Sequence, residues 1–121
     1  MKSVRMESVN CLLIPLNELP EGGPHAFNTV IDGSNVSLLV VRSPSQFSVY
    51  LNQCPHQGRR LDYAPGQFLT KSGNIICAAH GATFELATGL CVQGPCRGES
   101  LRSLPAELHD GRLRVDVSGL A

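Results

Sequence analysis

Two short boxes of cysteine and histidine constrain this chain more than any other feature. The first is Cys54-Pro55-His56-Gln57-Gly58 and the second is Cys77-Ala78-Ala79-His80-Gly81, so the spacing runs Cys-X-His, twenty residues, then Cys-X-X-His. A fold that uses them must bring two loops together until two thiols and two imidazoles face one another. Each box closes on a glycine, Gly58 and Gly81, which accepts φ > 0 and lets backbone approach a bulky inorganic centre.

Two thiolates with two imidazoles suit one tetrahedral zinc, or a binuclear iron-sulfur centre with sulfurs on one iron and nitrogens on the other. The first box bears on the choice. Residues i and i+2 of an extended segment project to the same side, so a short Cys54 and a long His56 can reach different irons. Zinc sites habitually begin with ligands two to four residues apart, and Cys-X-His is tighter than that.

The rest of the chain reads as β structure. Ser8 to Pro15 forms a first strand and Asn17 to Pro24 a loop, followed by a hairpin of Ala26 to Ile31 and Val36 to Arg42 with Asp32-Gly33 as its turn signal. Ser43-Pro44-Ser45-Gln46 turns the chain into Phe47 to Leu51, whose alternating apolar residues make a strand that delivers Cys54. Gln67 to Thr70 and Asn74 to Cys77 flank Lys71-Ser72-Gly73, and this hairpin delivers the second box. Thr83 to Leu86, Leu101 to Leu104, Ala106 to His109 and Arg112 to Val117 complete an antiparallel sheet, with Asp110-Gly111 as the last turn. No segment carries helical periodicity, an internal repeat or low complexity.

Composition narrows the functions. At 121 residues the chain is expected to be one domain spanning 1–121, long enough to bury about two-thirds of its unfolded surface. Ten basic residues balance ten acidic ones, which gives no electrostatic case for nucleic acid or an anionic membrane. The opening residues lack the apolar core of a secretory signal and no run of eighteen apolar residues occurs, so the expected location is cytoplasmic. Of five cysteines, Cys11 lies in the apolar run Cys11-Leu12-Leu13-Ile14 and is expected to be a buried structural thiol. Cys91 and Cys96 flank Val92-Gln93-Gly94-Pro95, and a reducing compartment favours two packing thiols over a bridge. His25 and His109 sit beside turn signals and are expected on the solvated surface. Arg59-Arg60, directly after Gly58, is either a solvated loop charge or a pair of cations for an acidic partner.

At the two boxes the chain resembles the Rieske family, and the resemblance runs from about Val9 to Val117. It includes Tyr50 to Cys54, the segment Gly81-Ala82-Thr83-Phe84-Glu85-Leu86, Thr88-Gly89, Gly94-Pro95 and Asp110-Gly111. It implies an all-β fold, a Rieske-like antiparallel β sandwich with two cluster-binding loops, holding one 2Fe-2S cluster. By that match Cys54 and Cys77 bind one iron and His56 and His80 the other. A proline-containing loop covers the cluster in the family, matching Gln93-Gly94-Pro95 here. The interval between boxes is longer than is usual in the family, which places extra residues in Ala64 to Gly73.

With two ferric ions, two sulfides, two thiolates and neutral imidazoles the oxidised cluster is formally uncharged. A four-cysteine cluster carries two more negative charges and resists reduction, so histidine ligation raises the potential. High-potential family members carry an extra bridged cysteine in each box, where this chain has Arg59 and Ala79. They also place hydrogen-bonding Ser and Tyr where this chain has Ala82 and Phe84, which predicts a potential at the low end of the Rieske range.

The resemblance implies an electron-transfer protein, not an enzyme. The family's oxygenases hold a second domain with a mononuclear iron on two His and a carboxylate, for which this sequence is expected to have neither the length nor the spare histidines. It implies redox protein partners: a free-standing ferredoxin, monomeric, passing electrons from a flavin reductase to a terminal oxygenase. The alternative is a small subunit held in a larger redox enzyme such as an assimilatory nitrite reductase.

Overall fold

The computed structural model describes residues 5–8, 11–19, 22–31, 33–42, 47–55, 60–64, 66–77 and 81–118. Among the described residues, eleven strands fall into three antiparallel sheets. The first sheet pairs β1 (Arg5–Ser8), β2 (Cys11–Pro15), β11 (Arg112–Asp116) and β10 (Ala106–His109) in that order. The second contains β3 (Gly22–Ile31), β4 (Ser34–Arg42) and β5 (Phe47–Leu51), and the third β6 (Leu69–Lys71), β7 (Asn74–Ile76), β8 (Thr83–Glu85) and β9 (Cys91–Gln93). Among the described residues no helix is long and apolar enough to cross a membrane.

The middle sheet is buried on both faces, which explains the unbroken apolar run Leu38-Leu39-Val40-Val41. Successive side chains of a strand point to opposite faces. Leu38, Val40 and Val49 therefore pack into one core with Leu12, Ile14, Phe27, Leu113 and Val115. Leu39 and Tyr50 pack into a second core with Leu61, Ile75, Phe84 and four cysteines, Cys54, Cys77, Cys91 and Cys96. One sheet thus carries two cores, and the second core contains both box cysteines.

Local chemistry sets the turns. Ser72 and Gly73 both have positive φ (53° and 80°) between the paired Lys71 and Asn74, the conformation that joins hairpin strands through two residues. Asp110 and Gly111, at 50° and 73°, do the same between His109 and Arg112.

Several expected boundaries move. The single strand expected from Ser8 to Pro15 is two, because Arg5–Ser8 folds back antiparallel on Cys11–Pro15. The loop expected from Asn17 to Pro24 shortens to a 3-10 turn at Leu16–Glu18, and Gly22 to Pro24 already belong to β3. Proline is tolerated there because β3 is an edge strand and its register shifts between Gly22 and Pro24. Leu101 to Leu104 is not a strand; it meets β5 through one bridge, Tyr50 to Ser103. The turn at Ser43 to Gln46 lies outside the described residues.

Candidate metal centre

Cys54 is carried by the end of β5. Beyond it, Asn52 donates its backbone N–H to Ser37 O (2.9 Å), and Gln53 donates to Leu51 O (2.8 Å). Asn52 is 3% exposed and its side chain closes the loop that follows. Its Oδ1 accepts from Leu61 N (3.1 Å), and its Nδ2 donates to Ser37 Oγ (3.1 Å) and Asp62 Oδ1 (3.3 Å). Residues 52 and 61 are thereby tied together across the first box. Asp62 also accepts from Gly66 N (3.0 Å) and from Arg60, Nε to Oδ1 at 2.8 Å and Nη2 to Oδ2 at 2.7 Å. The Arg60 hydrogen bonds, aided by those from Gly66 and Asn52, hold the Asp62 carboxyl down at about 2.

Cys77 follows β7, whose Ile75 and Ile76 pair with Phe84 and Thr83. Cys77 donates its N–H to Ala82 O (2.8 Å) and accepts at its own carbonyl from Gly81 N (2.9 Å). These two bonds hold Gly81 and Ala82 against Cys77, with Gly81 at φ +73° where a side chain would strain the backbone.

The proline-containing loop lies directly on the second box. Gly94 has φ +104°, and a Cβ there would come within 2.7 Å of Ala82 Cα and 3.2 Å of Gly81 O. Only a glycine permits that approach. The loop is held by Arg97 N to Gly94 O (3.2 Å), Gly98 N to Cys91 O (3.1 Å) and Cys91 N to Glu99 O (2.8 Å). Tyr50 joins the middle sheet to this region: its Oη donates to Leu86 O (2.9 Å) and its ring packs on Gly89.

Cys54 and Cys77 are 4% and 2% exposed and share the second core. All five cysteines are free thiols. Cys91 and Cys96 stand in contact without a bond, Cys96 Sγ donating to Cys91 Sγ at 3.2 Å and Cys91 Sγ to Gln93 O at 3.3 Å. Burial, the Cys91 thiol and then Cys54 push the Cys96 thiol up to about 12.

His56, His80 and Arg59 lie outside the described residues, and among the described residues no group of three His, Cys, Asp or Glu side chains forms a metal site. The donors that are described fit a 2Fe-2S cluster. Two buried, unbridged thiols are soft ligands for iron, supplied by two separately closed loops under a tightly seated cover.

Other expectations change. Cys11 is only half-buried; it stands at the start of β2, where Leu13 on the same face is buried. His25 sits within β3 opposite Val40 and is half-buried, not in a loop. His109 is exposed as expected, with 59% of its side chain accessible. Arg60 is paired with Asp62. The sequence named Tyr50 and Asn52 only as part of the lead-in to the first box and gave no role to them or to Asp62. The available signals were an Asn placed directly between a strand and a box, and a carboxylate two residues after a cation.

The Rieske [2Fe-2S] domain family matches residues 10–108. None of the curated protein sequences matches the chain. Among solved structures, the ferredoxin of carbazole 1,9a-dioxygenase from Nocardioides aromaticivorans IC177 is 28% identical, with a TM-score of 0.64 over 86% of this chain and 93% of that one. The reduced complex between oxygenase and ferredoxin in carbazole 1,9a-dioxygenase gives a TM-score of 0.71 at 20% identity, over 89% of this chain and 28% of that chain. The terminal oxygenase of carbazole 1,9a-dioxygenase from Novosphingobium sp. KA1 gives 0.68 at 21%, over 87% and 28%. Against these last two, this chain spans little more than a quarter of the partner's length.

Proposed function

Because this chain belongs to the Rieske family and holds a Rieske-type 2Fe-2S cluster, we propose that it is a soluble, cytoplasmic ferredoxin passing single electrons from a flavin reductase to a terminal oxygenase. The observation that carries the reading is mutual coverage: the chain and the Nocardioides ferredoxin account for 86% and 93% of one another. The matched chains of the oxygenase–ferredoxin complex and of the terminal oxygenase, by contrast, are each met over 28% of their length. All 121 residues are read as one domain that acts as a monomeric shuttle, without catalysis of its own.

The ligands in this reading are Cys54 and Cys77 on one iron and His56 and His80 on the other. When bound, the cluster supplies one-electron chemistry at a potential raised by its imidazole ligands. The chain's own residues set its surroundings. Cys54 and Cys77 sit in an apolar core, Gly94 closes the loop over the second box, and Asn52 with Asp62 fixes the first.

Two measurements test the reading. Reduced protein is expected to give a Rieske EPR signal, and a colourless, iron-free protein refutes the cofactor and its ligands. Gel filtration of native extract is expected to place the protein alone at its monomer mass. Co-elution with a large enzyme replaces the shuttle by a subunit, such as that of an assimilatory nitrite reductase.

A further inference from the structure

Two cavities lie side by side at the start of β4. One, of about 370 Å³, has Arg102, Gln53, Asn52, Asn35 and Arg60 in its wall; the other, of about 360 Å³, has Asn28, Val30, Asn35 and Arg60. Asn35, Val36, Ser37 and Arg60 line both, so the two form one elongated groove. Its order is fixed by which residues are shared: Arg102 belongs only to the first cavity, Arg60 to both, and Val30 only to the second. All three are exposed, Val30 by 56%. Among the described residues no Asp or Glu lines either cavity. Asp62 balances the charge of Arg60 from a buried position, but that fork engages only Nε and Nη2 of a guanidinium that carries further N–H donors. The groove thus offers a cation at one end, charge-assisted donors in the middle and an apolar side chain at the other end.

We propose that this groove seats an extended acidic segment of the protein's redox partner, with carboxylates at Arg102 and Arg60 and an apolar side chain at Val30. The inference rests on the electron-carrier reading above. A compact anion is satisfied at one arginine and leaves the second cavity empty, whereas an extended segment fills both. Alternate residues of an extended chain share a face, so two acids and one apolar residue at alternate positions meet Arg102, Arg60 and Val30 in order. The exposed amides of Asn28, Asn35 and Gln53 offer donors and acceptors to its backbone, which needs both. Position ties the groove to electron transfer. Asn52 and Gln53, in its wall, directly precede Cys54, so a partner seated here stands beside the first box. Charges at such a surface act mainly on the rate of encounter and its salt dependence.

The test is titration of purified full-length protein at low salt with an end-blocked peptide, Glu-Ser-Glu-Ser-Leu, followed by amide NMR, with the EPR signal of the same protein recorded. Saturable shifts are expected at residues 28–30 and 35–37, and none with the uncharged counterpart Gln-Ser-Gln-Ser-Leu. Arg102→Glu replaces an attraction by a repulsion and is expected to weaken binding about tenfold. Val30→Asp, at the other end, weakens it too, while Arg112→Glu, the same charge change on β11 outside the groove, binds as wild type does. An Arg102→Glu affinity within twofold of wild type overturns the proposal, as do shifts confined to another surface. Inorganic phosphate producing the same shifts at residues 28–30 overturns the extended occupant. If Arg102→Glu does not fold, Val30→Asp decides by the same twofold criterion. Binding by a protein that lacks a Rieske signal refutes the electron-carrier reading and leaves the groove standing; a Rieske signal without binding refutes the groove alone.

Discussion

The guanidinium of Arg60 grips the carboxylate of Asp62 two residues further along the same loop, and the pair is lopsided: Arg60 is 48% exposed and Asp62 1%. The carboxylate is the buried member, and it also anchors Asn52 and Gly66. A cation that sequence alone offers to an acidic partner is therefore engaged inside the chain, where it shapes the loop of the first box.

Acid should loosen that loop. The Asp62 carboxyl is held at about 2 against an ordinary value of 3.8, chiefly by Arg60. A carboxylate with a depressed folded value contributes stability above its unfolded value, and the contribution is lost as pH falls from about 4 to about 2. With solvent around Arg60 discounting the shift, the contribution is on the order of 1–2 kcal/mol. Denaturant unfolding of Asp62→Asn at pH 7 should show that loss, and the variant's stability should depend less on pH between 4 and 2. An unchanged acid profile removes Asp62 as the cause.

Replacing any proposed ligand should bleach the protein. Cys54→Ser, His56→Ala, Cys77→Ser and His80→Ala are each expected to lose the visible Rieske spectrum and bound iron, since each iron has only two protein ligands. Cys11→Ser, Cys91→Ser and Cys96→Ser should keep their colour. A coloured His56→Ala protein reassigns the ligands.

Voltammetry at pH 7 should place the wild-type midpoint near the low end of the family's range, about −150 mV. Ala82 and Phe84 are both 0% exposed within the core of the site, so Ala82→Ser and Phe84→Tyr each introduce a donor where none exists. Each is expected to raise the potential by a few tens of mV, given about 59 mV per tenfold change in equilibrium. A wild-type midpoint above about +100 mV, or no rise in either variant, removes the hydrogen-bond explanation.

Gly94→Ala should be costly where Gly33→Ala is mild. Both positions have positive φ, but Gly33 has nothing within 4 Å of an added Cβ, while at Gly94 that atom meets Ala82 backbone at 2.7 Å. Strain alone costs about 1–2 kcal/mol at Gly33. At Gly94 the clash adds to it and lifts the covering loop from the second box, so cluster loss on storage should accelerate in this variant alone. Equal behaviour of the two variants refutes the close approach.

The strands that position the first box were legible because β5 combines β-forming residues with turn signals on both sides, and the hairpins because Asp32-Gly33, Ser72-Gly73 and Asp110-Gly111 allow two-residue turns. The family and its cluster followed from the boxes. Less legible was anything decided by tertiary packing. The split of Ser8 to Pro15 depends on Arg5–Ser8 finding an edge on β2, and β9 exists because β8 offers it one. Leu101 to Leu104 has strand-like composition, yet its burial comes from filling both cores, Leu101 in one and Leu104 in the other. The Arg60 pairing was invisible because charge in sequence carries no direction.

The strands of the third sheet are three residues each, against ten and nine in β3 and β4, and the core beneath them includes the two cysteines proposed as ligands. Removing metal therefore leaves this half with short ladders and a core lined by unsupported sulfur, while the long-stranded half keeps an independent interior. Local opening concentrates where packing and pairing are weakest. Limited proteolysis of metal-free protein should cut first between residues 60 and 99. In a cell short of iron the metal-free chain would then offer this half to proteases before the long-stranded half.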